Sequence, residues 1–322
     1  SHPTRERPVR LLMRALYRSG RQSEALRVAT RHTRDLVDQG LEPSPGLRRL
    51  EGQILQHDPT LLPEGVVSPG DIKPGRSVRG YELREEAGAG SVGVVYRAFQ
   101  ASVGREVALK VVNPHLAETP EFVRRFAEEA RVVAGLEHPH IVPLHDFWRE
   151  PGGAFLVMRW MDGGSMEDRL GHGWEPDEIG RVFGQLSDAL GYAHSAGVVH
   201  RDVKPANVLF DGAGNAYLCD FGLAVTGIDT GAAGDGPLAT IQPPYASPEQ
   251  IRGEGPTVAS DVFGLGVLLA EAASGAEFLG PDTAVDGPLR EVVLVATAAN
   301  PADRYPDMAA FRAALLDAVG TT

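Results

Sequence analysis

The chain has 322 residues, 43% hydrophobic and 23% charged, an ordinary composition for a folded protein and length enough for two domains. Its formal charge of −12 argues against broad nucleic-acid affinity, and no apolar run approaches the roughly 20 residues that a membrane-spanning helix needs. One cysteine, Cys219, excludes an intramolecular disulfide and fits a reducing cytoplasm, and the ten histidines show no metal-ligand spacing.

The charge is unevenly divided. Residues 1–60 hold 11 Arg against 7 acidic residues, a net +4, and the remainder carries −16. The chain opens on Ser1 without a signal-peptide pattern and is read as a piece of a longer protein. Residues 5–19 place Val9, Leu12, Met13, Leu16 and Tyr17 at helical spacing, and Gly20 ends the run. A second helix is predicted over 22–38, through Ala25, Leu26, Ala29, Leu36 and Val37, with Gly40 as its stop. A third starts after Pro43-Ser44-Pro45 and runs through Leu47, Leu50, Ile54 and Leu55. The stretches "ALYRSGRQSEALRVA" and "LEPSPGLRRLEGQIL" resemble the C-terminal part of the bacterial transcriptional activator domain, a tetratricopeptide-like module. A winged-helix DNA-binding domain often precedes that module, and nothing in these residues supplies one. Two roles stand for residues 1–58, a helical spacer or a surface for a protein partner; direct nucleic-acid binding is not expected. Residues 59–77, with Pro59, Pro63, Pro69, Gly70, Pro74 and Gly75 in no period, read as a linker.

Strand-like alternation begins near Tyr81. Gly88, Gly90 and Gly93 form a GxGxxG, a weak signal alone. A dinucleotide site needs a helix after the glycines, whereas Val94-Val95-Tyr96-Arg97-Ala98-Phe99 is β-branched and strand-like. The glycines therefore belong to a hairpin loop able to lie close over phosphates. Lysine is scarce, at only three of 31 cationic positions, yet Lys110 sits in the apolar run EVALKVV. A charge there needs a partner. A helix predicted from about Pro120 to Leu136 offers Glu128 and Glu129. Within "VVHRDVKPANVLF", Asp202, Lys204 and Asn207 fall within six residues. A carboxylate there can accept a hydroxyl proton, an ammonium can neutralise a transferring phosphoryl group, and an amide oxygen can coordinate Mg²⁺. "LCDFGLA" then places Asp220 at a strand end as a second metal ligand.

In this order the motifs resemble the eukaryotic-type protein kinases, and especially bacterial Ser/Thr kinases, over roughly residues 79–318. The resemblance implies an α+β, bilobal kinase fold at 78–318, with a β-rich N-lobe (78–160) and a helical C-lobe (161–318), and Mg-ATP as cofactor. Residue by residue, it makes Lys110 and Glu129 an ion pair, with Glu128 as the register alternative. Met158 becomes the gatekeeper, and the backbone of Arg159 and Met161 the adenine contact. Val95, Ala108 and Leu209 cover the adenine ring, Asp202 is the catalytic base, and Asn207 and Asp220 hold the metal. It also implies a stack of His200 on Phe221, a hold of Asp261 on the catalytic loop and a pair between Arg304 and Glu249. Lys204 implies Ser/Thr rather than Tyr specificity.

The pattern departs on the protein-substrate side. "IQPPYASPE" stands where relatives read like GTPxYxSPE, so Gln242 replaces a threonine that bridges the catalytic Asp and Lys. The activation segment, 223–246, holds Thr226, Thr230 and Thr240 as candidate self-phosphorylation sites, with Asp229 or Asp235 as alternative phosphate mimics. Only residues 276–288 separate Gly275 from the next helical pattern, little room for the αG helix on which protein substrates dock in that family. Two functions follow: phosphoryl transfer from Mg-ATP to Ser/Thr hydroxyls, or a kinase-fold scaffold that signals through nucleotide-dependent conformation.

Overall fold

The structure, a computed structural model, describes residues 6–18, 22–55, 61, 72–90, 92–117, 120–150, 153–221, 245–280 and 283–320. Gln242, Thr226, Thr230, Thr240, Asp229 and Asp235 lie outside the described residues. The chain divides into two compact units: residues 1–127 with 144–160, and residues 128–143 with 161–322.

The first unit opens with three helices, α1 (Glu6–Arg18), α2 (Gln22–Val37) and α3 (Pro45–Leu55). Their core is Met13, Leu16, Tyr17, Ala25, Ala29, Leu47, Leu50, Ile54 and Leu61. The stripe on α1 is narrower than its apolar content implies. Met13 and Tyr17 bury at i and i+4, while Leu12, one position aside, stays 49% exposed. Val37 and Leu55, at the last residues of α2 and α3, are also exposed. Glu6 reaches from α1 to the start of α3, where its carboxylate accepts from the Ser44 amide (2.8 Å) and the Ser44 hydroxyl.

The same unit holds a six-stranded antiparallel sheet in the order β1-β2-β3-β4-β6-β5. The strands are β1 (Ser77–Val78), β2 (Tyr81–Ala89), β3 (Gly93–Gln100), β4 (Arg105–Val112), β5 (Leu144–Glu150) and β6 (Gly153–Arg159). The sheet starts earlier than the alternation near Tyr81. Ser77 pairs with Glu82, and Ile72, within the Pro/Gly stretch, is buried in the sheet's core. The β1–β2 turn takes positive φ at both central residues, Arg79 (48°) and Gly80 (85°), the pattern whose twist suits a two-residue hairpin. Arg79 is held there by Glu150 at 2.9 Å and lies over the Trp148 ring. Short helix α4 (Pro114–Ala117) and then α5 (Pro120–Ala134) follow β4, α5 ending just before Gly135.

The second unit is helical. Around one core pack α6 (Pro176–Ser195), α8 (Val258–Ser274), α9 (Leu289–Ala296) and α10 (Met308–Ala318), with α7 (Pro248–Ile251) as a single turn before α8. A short hairpin, β7 (Val208–Phe210) with β8 (Ala216–Leu218), carries the functional loops at its ends. Described residues 276–280 and 283–288 contain no α-helix, in line with the short spacing read there. Among the described residues no helix is long and apolar enough to cross a membrane.

Candidate active site

The glycine loop is the turn between β2 and β3, where the Gly90 amide donates to Gly93 O at 2.9 Å. The three glycines have different physical reasons. A Cβ at Gly93 would lie 2.0 Å from Val111 O, so only glycine lets β3 approach β4 there. A Cβ at Gly88 or Gly90 would meet nothing within 4 Å, so this side of the loop is open to a ligand.

Register fixes which side chains join that face. Val95 lies opposite Lys110, and Lys110 opposite Leu156; Ala108 lies opposite Met158. Side chains directly across a ladder, and those two apart on one strand, share a face. Val95, Ala108, Lys110 and Met158 therefore lie on one side of the sheet. Their alternate neighbours Val107, Leu109, Val111 and Val157 are buried in the core on the other. Lys110 is half-buried, not a core residue. The strand reads as apolar because one face is packed and the other carries small or aliphatic groups around the ammonium. On α5, Glu129 is half-buried and Glu128 exposed; Arg159, at the end of β6, is exposed and Met161 is buried.

In the second unit the loop between α6 and β7 is held from below by Asp261. This carboxylate on α8, 1% exposed, accepts from the amides of His200 and Arg201, each at 2.8 Å. It also contacts His194 Nε2 at 2.8 Å, a third anchor that the sequence gave no reason to expect, because His194 lies on a different helix, 67 residues away. These bonds hold Arg201 at φ 74°, a conformation that costs a non-glycine residue about 1–2 kcal/mol. His200 is fully buried with its ring 4.5 Å from Phe221. Its Nε2 lies 2.9 Å from Cys219 O, which can only accept, while its Nδ1 accepts from the Asp202 amide at 3.3 Å. Its partners thus assign the hydrogen to Nε2.

Asp202, Lys204 and Asn207 are gathered as their spacing implies. Lys204 Nζ lies 2.6 Å from Asp202 Oδ2, and Asn207 Nδ2 donates to Asp202 O (2.8 Å) and Oδ2 (3.0 Å). Both side-chain contacts fall on Oδ2, which leaves Oδ1 clear of hydrogen bonds among the described residues. Because Asn207 spends its NH₂ on Asp202, its amide oxygen is left for another partner. The Cys219 amide donates to Asn207 O at 3.0 Å, tying this loop to the segment that ends in Asp220, at φ 58°. A hard amide oxygen and a carboxylate suit Mg²⁺, which takes few protein ligands and completes its shell with water and phosphate. Among the described residues no group of three or more His, Cys, Asp and Glu could hold a metal by itself, in keeping with that sparse donor set. Leu209, on β7, is half-buried, and Cys219 is a buried free thiol.

Below the loop, Arg304 and Glu249 form a buried two-pronged pair at 2.7 and 2.8 Å. The remaining Arg304 donors reach Ala259 O and Ala298 O, and Ser260 Oγ donates to Glu249. Burial alone would raise the Glu249 carboxyl, but the bonds from Arg304, Ser260 and Ser247 outweigh it and hold its pKa at about 2. Next to this pair, Tyr245 donates to Glu271 at 3.0 Å. Burial raises the pKa values of both groups, and their mutual charge raises that of Tyr245 further.

Residues 81–307 match the family described as the protein kinase domain, and residues 1–55 the bacterial transcriptional activator domain. The serine/threonine-protein kinase PknJ of Mycobacterium tuberculosis is 37% identical over 211 residues, covering 64% of this chain and 36% of that protein. PknB of the same organism is 34% identical over 265 residues, covering 73% and 42%. PrkC of Bacillus subtilis is 34% identical over 205 residues, covering 62% and 31%. The chain thus spans less than half the length of these curated relatives. Among solved structures, the crystal structure of the Mycobacterium tuberculosis PknI kinase domain superposes with a TM-score of 0.62 at 29% identity, covering 76% of this chain and 98% of that one. With its motifs in order on this fold, the chain belongs to the protein kinase family, with bacterial Ser/Thr kinases as its relatives and an activator-domain segment at its N-terminus.

Proposed function

We propose that this chain is a serine/threonine protein kinase that transfers the γ-phosphoryl group of Mg-ATP to Ser or Thr hydroxyls. The observation that carries the reading is the Asp202–Lys204–Asn207 cluster, with its contacts on one Asp202 oxygen and the other oxygen clear. Asp202 Oδ1 would orient the attacking hydroxyl and accept its proton, and Lys204 would stabilise charge on the transferring group. Asn207 and Asp220 would hold the metal, which when bound neutralises phosphate charge. In the first unit, Gly88, Gly90 and Lys110 would position the phosphates. Val95, Ala108, Met158 and the Arg159 backbone would form the adenine side, with Met161 and Leu209 contributed by the second unit. Glu129 keeps the role that its place in the motif order implies. Residues 1–58 are taken as activator-domain helices, 59–77 as a linker and 78–318 as the kinase domain, acting in the cytoplasm, where ATP is present and Cys219 stays reduced.

The test is incubation with γ-labelled ATP and Mg²⁺, followed by mass spectrometry of the protein before and after phosphatase. Incorporation at Ser or Thr, lost in Asp202→Asn, is the expected result. The lack of an α-helix among the described residues of 276–288 favours a second reading, a nucleotide-binding scaffold. Stabilisation by ATP with no transfer to itself or to native partners would decide for it.

A further inference from the structure

The most cationic feature of the described residues lies away from the kinase site. Arg7, Arg10 and Arg14 fall at i, i+3 and i+7 on α1, and face Arg49 and Gln53 across a groove between α1 and α3 of about 410 Å³. Four guanidiniums in one groove repel one another, and like charges at helical spacing destabilise a helix. Elsewhere Arg79, Arg84, Arg97, Arg252, Arg304 and Arg312 each pair with a carboxylate. No such ion pair engages Arg7, Arg14 or Arg49 among the described residues. Arg10 Nε is buried without a hydrogen-bond partner. Glu6, the carboxylate at this end of α1, is engaged by Ser44. A buried guanidinium nitrogen left unpaired is costly, and an arriving anion would satisfy it.

The groove is also shaped. A Cβ on Gly46, in the first turn of α3, would lie 2.6 Å from Arg10 Nη1, so the missing side chain is what lets the Arg10 guanidinium lie against that turn. The amides of the first turn of a helix favour anions, and planar guanidiniums match the paired oxygens of phosphate. From these observations we infer that the groove between α1 and α3 is a binding site for a phosphomonoester, carried either on a small molecule or on a phosphorylated Ser/Thr side chain. A single groove of this volume in a chain of net charge −12 fits one phosphate group better than the extended backbone of a nucleic acid.

The test is calorimetric titration of the full chain, without ATP, with four probes: inorganic phosphate, a phosphothreonine peptide, its unphosphorylated form and duplex DNA. The phosphopeptide should bind at least about tenfold more tightly than its unphosphorylated form. Arg10→Gln and Arg49→Gln should each weaken phosphate-dependent binding by about tenfold or more. Arg34→Gln, an exposed cation on α2 outside the groove, should leave it unchanged. Gly46→Ala removes no charge and is compatible with a helix, so it should weaken binding severalfold with helical circular dichroism intact. Inorganic phosphate binding as tightly as the phosphopeptide identifies a small-molecule ligand; tighter phosphopeptide binding identifies a polypeptide. Equal affinity for both peptides, equal losses in Arg34→Gln and Arg10→Gln, no effect of Gly46→Ala, or preferential binding of DNA would each overturn the proposal. ATP affinity, a property of the other site, should be the same in all four variants, which separates this result from the fate of the kinase reading.

Discussion

Asp202 receives both of its side-chain contacts on Oδ2, from a cation and from an amide, so its two oxygens differ in role. Asp202→Asn should lower single-turnover phosphoryl transfer by roughly 10²–10⁴-fold, the range of one general base, while ATP affinity stays close to that of the parent. Asn207→Ala should act differently. It removes both the proposed metal oxygen and the NH₂ that fixes Asp202, so the Mg²⁺ concentration for half-maximal rate should rise as the rate falls; an unchanged Mg²⁺ dependence would remove Asn207 from the ligand set. Most of these residues were legible in the sequence because Asp202, Lys204 and Asn207 are near neighbours and their geometry is local. His194 was not legible. Its bond to Asp261 joins two helices distant in sequence, and a histidine in the last turn of a helix has no signature of its own.

At the scale of elements, the glycine loop shows how one motif holds two kinds of constraint. Gly93 is needed for packing, Gly88 and Gly90 for open space. Gly93→Ala should therefore destabilise the first unit by about 1–3 kcal/mol through a forced shift of β3 against β4, read as a lower denaturation midpoint. Gly88→Ala should leave that midpoint nearly unchanged and raise the KM for ATP. Equal midpoints for the two variants would contradict the division. The helices and strands themselves were largely readable from periodicity. What was not readable was the width of the α1 stripe, where Leu12 proves exposed, and the start of the sheet. Prolines and glycines from 59 to 77 read as one linker, yet Ile72 is buried and Ser77 pairs with β2. Turn residues mark bends without saying whether the bend packs against anything. The segment around Gln242, where the motif departs most from its family, lies outside the described residues.

For the molecule as a whole, the Glu249–Arg304 pair sets an acid limit. The Glu249 carboxyl is held at about 2 against an ordinary value of 4.5, so its stabilisation is fully present above pH 4.5 and is lost as pH falls from there toward 2. The difference corresponds to on the order of 3 kcal/mol. Urea midpoints measured from pH 6 to pH 2.5 should drop steeply in that window for the parent, and less steeply for the Glu249→Gln, Arg304→Met double variant. Arg304→Met alone should cost more, about 3–5 kcal/mol, because it leaves a buried carboxylate unpaired. Asp261 has a consequence of another kind. The amides it holds, those of His200 and Arg201, belong to a loop, and loop amides ordinarily trade their hydrogens with solvent early. Here each donates to a carboxylate 1% exposed, on a helix whose residues form the centre of the second unit's core. Those two hydrogens can leave only when α8 itself lets go. In heavy water they should persist as long as the amides of the buried helix, a clock that reads the integrity of the catalytic loop without any substrate being turned over.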